Sequence, residues 1–280
     1  MGWVTEPFEL EFMRRALLAG LLVATIGGIV GSYVVHRGLA FLGDALAHGI
    51  LPGIALAFVA GFDLLLGAAL GAVVMVAGIG FVNRRTFLSP DVAIGLLFVG
   101  MLALGVAIVS SSGVFTKDLV GFLFGDILGV SGRDLVLAGA TLTFTVAVTA
   151  LMWRPFFVLC LDDEKAEVLG FHAAAAQRVM LLLVGLAIVT SFEAVGTLLV
   201  FGMLLAPAAT AALLVHRLLP AMAIAVAAGW VSVVGGLLAS YHLDVAASAS
   251  IVVVAVALFF VAVLVRPVVH ARHTVRTDTG

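Results

Sequence analysis

The sequence holds one cysteine, Cys160, which excludes an intrachain disulfide and a thiolate metal cluster. Charge is also scarce. Lys and Arg number 14 and Asp and Glu 16 in 280 residues, 11% in all, where a soluble domain carries about a quarter. Too few polar groups remain to wet a globule of this size, so lipid must be the solvent for much of the chain. A formal net charge of −2 makes no electrostatic case for nucleic acid as a partner. The only lysines are Lys117 in TKD and Lys165 in EKA. Neither follows a GxxxxG loop, so the chain has no Walker A site and no ATPase centre of its own. The absence of HExxH removes the usual intramembrane zinc protease. No second acidic residue stands at a depth comparable to Asp44, which removes an intramembrane aspartyl protease.

Apolar sequence fills the space that charge leaves. Hydrophobic residues make up 64%, and the mean hydropathy is +1.29. A bilayer-spanning helix needs roughly 20 apolar residues. Nine runs of about that length can be read, at 14–35, 40–60, 63–82, 92–110, 133–153, 176–191, 194–214, 218–239 and 245–265. The span 114–130 is apolar but interrupted, and reads as a short interfacial or re-entrant helix. The start of the chain carries Glu6, Glu9 and Glu11 and lacks the basic region of a cleaved signal peptide, so the first run is expected to be a retained helix. The expected fold is therefore all-α, a polytopic bundle of about nine membrane helices in one transmembrane domain over 1–280. Residues 161–178 form a loop, and 266–280 form a polar tail.

Strict alternation of the nine runs places Arg37, Arg84, Arg85, Arg154, Lys165, Arg178, Arg217, Arg266, Arg272 and Arg276 on one side. It leaves Arg14, Arg15, Lys117 and Arg133 on the other. By the positive-inside rule the richer side is cytoplasmic, with the C-terminus inside and the N-terminus outside. Clusters such as Gly27–Gly31, Gly67–Gly71 and Gly235–Gly236 read as the small-residue seams by which helices pack in lipid.

An ionisable residue inside a membrane run is costly and is by default a candidate for function. Asp44 and His48 stand out in RGLAFLGDALAHGILPGIALAF. Four residues apart, they share one helix face. A helix starting near Gly38 would put His48 near mid-membrane and Asp44 about a turn closer to the cytoplasm. A carboxylate and an imidazole suit a borderline divalent cation such as zinc or manganese. Two ligands make a weak site, but a symmetric dimer would supply two Asp and two His. The competing reading is that the pair bonds internally or serves a helix break at Pro52–Gly53.

Glu193, His242 and Asp244 fall in expected outer loops, as solvated residues or as contacts for an entering cation or an outer partner. His172 belongs to the cytoplasmic loop, while His270 and His273 lie in the tail. Met101 and Met203 read as gap-filling core residues. The loop LDDEKAEVLGFHAAAAQR opens with Asp162, Asp163 and Glu164, as a helix N-terminus prefers. It reads as a short helix, a turn near Gly170 and a return to the membrane from about His172. It is either an ordinary loop or a docking element.

RGLAFLGDALAHGILPGIALAF resembles the signature of the permeases of ABC importers for zinc or manganese. So do DVAIGLLF (91–98), VGFLFGDIL (120–128), the loop near 164–170, AVGTLLVFGMLLAPAAT (194–210) and LLASYHLDVAASASIVVVAV (238–257). The resemblance covers about 14–265 in order. It implies a vitamin B12 importer-like permease fold and a homodimer in the cell membrane. It also implies two cytoplasmic ATPase subunits that carry the ATP, and an extracytoplasmic metal-binding protein. Asp44 and His48 match the family's GDxxxH motif on the metal path. Asp162, Asp163, Glu164, Ala166, Glu167 and Gly170 fall where it implies a coupling helix to the ATPase. It implies no resident cofactor, with Zn2+ or Mn2+ as cargo, and affinity order leans slightly to zinc. Glu193 departs from the pattern, where an uncharged polar residue is common, and the tail after Arg266 lies outside it. The rival readings are a permease for a siderophore, metal chelate or cobalamin, and a stand-alone cation channel or carrier.

Overall fold

The computed structural model describes residues 6–87, 89–111, 127–161 and 163–277. Among these there is no strand. The helices are α1 (Glu11–His36), α2 (Leu42–Gly49), α3 (Leu51–Ala60), α4 (Leu64–Arg85), α5 (Pro90–Ser111), α6 (Gly132–Leu151), α7 (Trp153–Leu161), α8 (Asp163–Val168), α9 (Ala173–Val195), α10 (Thr197–Leu214), α11 (Leu218–Leu243) and α12 (Ala247–Thr277).

Among the described residues, nine stretches are long and apolar enough to cross a bilayer, with α2 and α3 together forming one of them over Leu42–Ala60. Its 19 residues span about 28 Å at the helical rise, close to the hydrocarbon thickness of about 30 Å. Each of the nine runs read from the sequence corresponds to one stretch. The ends differ where local chemistry acts. The sixth begins earlier, at Ala173, because the alanines after His172 are strong helix formers. The seventh begins at Thr197 rather than 194, because Gly196 at φ 81°, ψ 160° separates α9 from α10. The last helix continues to Thr277, into the segment expected to be a polar tail. Most of the 114–130 expectation lies outside the described residues. Its end, Ile127–Gly129, is a single 3-10 turn. Ser131 then caps α6, exchanging hydrogen bonds with Asp134 in a capping box.

The core is built on α1, which packs against α6, α10 and α11, while α12 closes on α10 and α11. Its buried residues Ala16, Gly20, Val23, Gly27, Val30 and Val34 recur every three or four positions and form one face. In lipid there is little hydrophobic gain in bringing two helices together, so close packing and hydrogen bonds must do it. The backbone contacts are accordingly tight. A Cβ on Gly27 would lie 2.8 Å from the Met203 carbonyl oxygen, and one on Gly31 would overlap that of Leu204. Hydroxyls within the helices turn back on their own backbone: Thr25 on Leu21, Ser32 on Gly28, Thr210 on Ala206 and Ser232 on Ala228. This satisfies them where water is absent. Met203 is buried, in keeping with its expected packing role.

Gly31→Ala is expected to lower the stability of the detergent-solubilised protein by about 1–3 kcal/mol, the usual range for overpacking. Gly100→Ala, where a Cβ meets nothing within 4 Å, is the control and should leave it unchanged or slightly raised. Thermal unfolding of both variants checks this.

Candidate metal site and its surroundings

The chain reaches the site through a tight helix end. Gly38 takes φ 68°, its N–H bonds to the Val35 carbonyl, and the Leu39 N–H bonds to that of Val34. This is a Schellman motif, which needs the left-handed residue that Gly supplies. The next helix therefore starts at Leu42, not near Gly38. His48 then lies about 9 Å along the crossing, a third of the way rather than midway. Asp44 falls in the first turn, where a helix favours negative charge.

The helix changes course between α2 and α3. Pro52 has no N–H to give the His48 carbonyl and sits in the first turn of α3. Ile50 between them stays near α-helical angles, φ −79° and ψ −16°, so the break bends the path without reversing it. Glycines hold the bend from two sides. On α4, a Cβ on Gly71 would come 2.9 Å from both the Cα and the oxygen of Ile50. On α5, one at Gly105 would come 3.1 Å from the Pro52 nitrogen.

The structure brings Asp44 and His48 together. His48 Nδ1 is 3.1 Å from the Asp44 backbone oxygen and 3.4 Å from its carboxylate Oδ1. A carbonyl can only accept, so Nδ1 is the donor in this contact, which in the neutral ring leaves Nε2 as the acceptor. At 3.4 Å the carboxylate contact is too long for a good hydrogen bond, and its oxygens stay available. The two side chains remain 31% and 26% exposed in one copy, on a helix whose other residues are mostly buried. Among the described residues, no group of three or more His, Cys, Asp or Glu is placed to hold a metal ion. One copy thus offers a carboxylate and an imidazole nitrogen, both partly exposed. Phe98 of α5 meets the His48 ring edge-to-face, with centroids 5.7 Å apart. Sequence reasoning missed Phe98, because an aromatic residue in an apolar run carries no signal that separates it from core.

Among the described residues, the remaining candidates form no metal-holding group with this pair. His242 is half-buried in the last turn of α11 and stacks edge-on against Tyr241. Asp244 is exposed and caps that helix in the left-handed conformation, φ 54°. Glu193 falls within α9, with its side chain outside the described part. Asp162 lies outside the described residues. Asp163 and Glu164 open α8, Ala166 is buried, and Glu167 is exposed. A second Schellman motif ends this helix, with Gly170 at φ 80°. There the Gly170 and Phe171 N–H groups bond to the carbonyls of Glu167 and Ala166. Helix, turn and re-entry from about His172 match the reading of the loop. Val168 and Leu169, exposed at 87% and 62%, form an apolar tip at that turn.

A many-helix membrane bundle with an ionisable pair on one interrupted crossing has the architecture of a transport permease. The family model described as the ABC 3 transport family matches residues 9–266. The manganese transport system membrane protein MntC of Listeria monocytogenes is 34% identical over 259 residues, covering 92% of each chain. A probable iron transport system membrane protein of Haemophilus influenzae is 33% identical, over 93% of this chain and 96% of its own. Among solved structures, PsaBC of Streptococcus pneumoniae in complex with Fab is similar with a TM-score of 0.81 and 28% identity, covering 93% of this chain and 94% of that one. A metal-chelate type ABC transporter in an inward-facing conformation shares the fold, with a TM-score of 0.68 at 19% identity. The chain belongs to the ABC 3 transport family and is a multi-pass membrane permease of the metal type. These relatives name manganese and iron, and nothing in their names supports the lean to zinc drawn from affinity order.

Asp44→Ala is expected to leave His48 protonated on Nδ1, since the acceptor is the main-chain carbonyl. Nitrogen-15 NMR of the histidine rings reads the tautomer directly, and a switch to Nε2–H would show that the carboxylate holds it.

Proposed function

We propose that this permease imports a divalent first-row cation across the cell membrane, as a homodimer in one permease domain per chain. Manganese and ferrous iron are the first candidates. ATP is bound and hydrolysed by separate subunits on the cytoplasmic side, where the C-terminus also lies. An extracytoplasmic binding protein delivers the cation. The observation that carries this reading is the partly exposed Asp44/His48 pair on a membrane crossing. Ionisable side chains left uncovered within a membrane crossing are costly, and two ligands per copy are too few for a site. A second copy across the same face would remove both problems, giving two carboxylates and two imidazoles around one path. This mixed oxygen and nitrogen set suits manganese or ferrous iron. It also binds weakly enough to release its cargo, as a transport site must.

The α8 segment Asp163–Val168, with Asp162 before it and the Gly170 turn after it, is the coupling element. Its exposed Val168 and Leu169 offer an apolar tip to a groove in the ATPase, and Glu167 adds a polar rim. ATP-driven movement there switches the access of the Asp44/His48 site from one side to the other. Glu193, His242 and Asp244 are proposed as the outer surface that meets the binding protein. The names of the relatives support this reading over a cobalamin permease or a stand-alone channel.

In proteoliposomes holding the permease, its ATPase subunit and the metal-loaded binding protein, manganese uptake should require ATP. Asp44→Ala and His48→Ala should each abolish uptake at unchanged protein levels, because both side chains are partly exposed and the contact between them is long, at 3.4 Å. Undiminished uptake in both variants would sink the site assignment. Running manganese, ferrous iron, zinc and a ferric chelate in parallel discriminates the cargo. Gly170→Ala forces a β-carbon into a left-handed turn at about 1–2 kcal/mol. It should lower transport-coupled ATP hydrolysis while leaving metal binding by the permease intact, as read by ATPase stimulation against metal titration.

A further inference from the structure

Helix α5 buries little of itself; its fully buried residues are Ala93, Ile94 and Gly105. Ile94, Phe98, Met101 and Gly105 are three or four residues apart and so fall on one face. That face follows the bent α2–α3 crossing. Gly105 sits against Leu51 and Pro52, just past the break. Phe98, one and a half to two turns away, meets two rings of the other segment. Its centroid is 5.7 Å from that of His48 at an interplanar angle of 80°, and 5.9 Å from that of Phe41 at 88°. Phe41 and His48 are seven residues apart, about 10.5 Å along a helix. A ring nearly equidistant from both therefore lies between them along α2 and flanks the His48 imidazole.

We infer that Phe98 is a positioning residue for His48, which fixes the imidazole plane so that Nδ1 meets the Asp44 carbonyl and Nε2 is presented to the cation. This rests on the reading of Asp44 and His48 as the metal site. The physical reason is that one hydrogen bond does not fix a ring. Rotation about the last side-chain torsion of a histidine is broad and roughly two-fold, and at 3.1 Å the Nδ1 contact is an ordinary one. An edge-to-face aromatic neighbour favours one ring plane, and the Nδ1 contact then sets which nitrogen meets the carbonyl. Because the same face of α5 grips the crossing at Gly105, a shift of α5 along α2 and α3 would carry Phe98 off the His48 ring. The ring would then lose its preferred plane, and the site its affinity. Phe98 thereby ties the helix position to the ligand geometry without touching the cation.

The test uses the full-length permease assembled with its ATPase subunit, and compares wild type with Phe98→Leu, Phe98→Tyr and His48→Ala. Manganese affinity is measured by electron paramagnetic resonance, and the His48 tautomer by nitrogen-15 NMR. Phe98→Leu keeps an apolar side chain but removes the ring. It is expected to weaken manganese binding by about two- to tenfold, the range of an aromatic pair, and to populate the Nε2–H tautomer, with the melting temperature little changed. Phe98→Tyr keeps the ring and should restore both. Wild-type affinity and tautomer in Phe98→Leu would overturn the proposal, as would equal losses in the Leu and Tyr variants. If His48→Ala binds manganese as wild type does, the metal-site reading itself fails and takes this inference with it. If only His48→Ala loses affinity, the site stands and the role of Phe98 falls.

Discussion

Backbone contact at glycine is the constraint on which this structure depends. In lipid the apolar faces of helices gain little by leaving their surroundings. Cohesion must come from backbones close enough for dense packing, and that distance leaves no room for a Cβ. At Gly27 and Gly31 the contact sets α1 against α10, and at Gly28 against α11. At Gly53, Gly67 and Gly71 it presses α3 and its junction with α2 onto α4. Gly105 adds the approach from α5. The bend at Ile50–Pro52 is held by these neighbours together with the backbone bonds from the Ile50 N–H to Leu46 and from the Ile54 N–H to Ile50.

That support explains why an unfinished hydrogen-bond pattern can persist in a membrane crossing. A freed carbonyl in hydrocarbon is expensive, and protein packed around it excludes the lipid. The bend has a consequence one turn away. It ends α2 immediately after His48, so the last helical turn carries the imidazole and the first carries the carboxylate. The two ligands occupy a segment of eight residues, short enough to move as a unit if its neighbours move.

Much of the fold was legible in the sequence, because length and hydropathy alone decide whether a segment can cross a bilayer. The nine crossings were readable for that reason. So were the short helix, the turn at Gly170 and the return near His172, since acidic residues, a lone glycine and an alanine run each carry a local preference. The start of α2 was not. It depends on the Schellman turn at Gly38–Leu39, where an apolar run continues without any change of composition. With that start, His48 stands in the first half of the Leu42–Ala60 stretch, close to the end of α2. The seventh helix was misplaced for a similar reason: Glu193 and Ala194 complete α9, and only the backbone angles of Gly196 separate it from α10.

The sequence by itself determined the solvent, the nine crossings found among the described residues and the spacing that puts Asp44 and His48 on one face. Those properties are sums over local residues or consequences of helical period. Tertiary structure decided that Nδ1 of His48 turns to the Asp44 backbone, that both side chains remain partly exposed, and that Phe98 stands against the imidazole. The Phe98 contact joins residues fifty positions apart, through the angle at which α5 crosses α2. No local pattern encodes that angle, because it is set by which glycines meet which backbones once the bundle has closed.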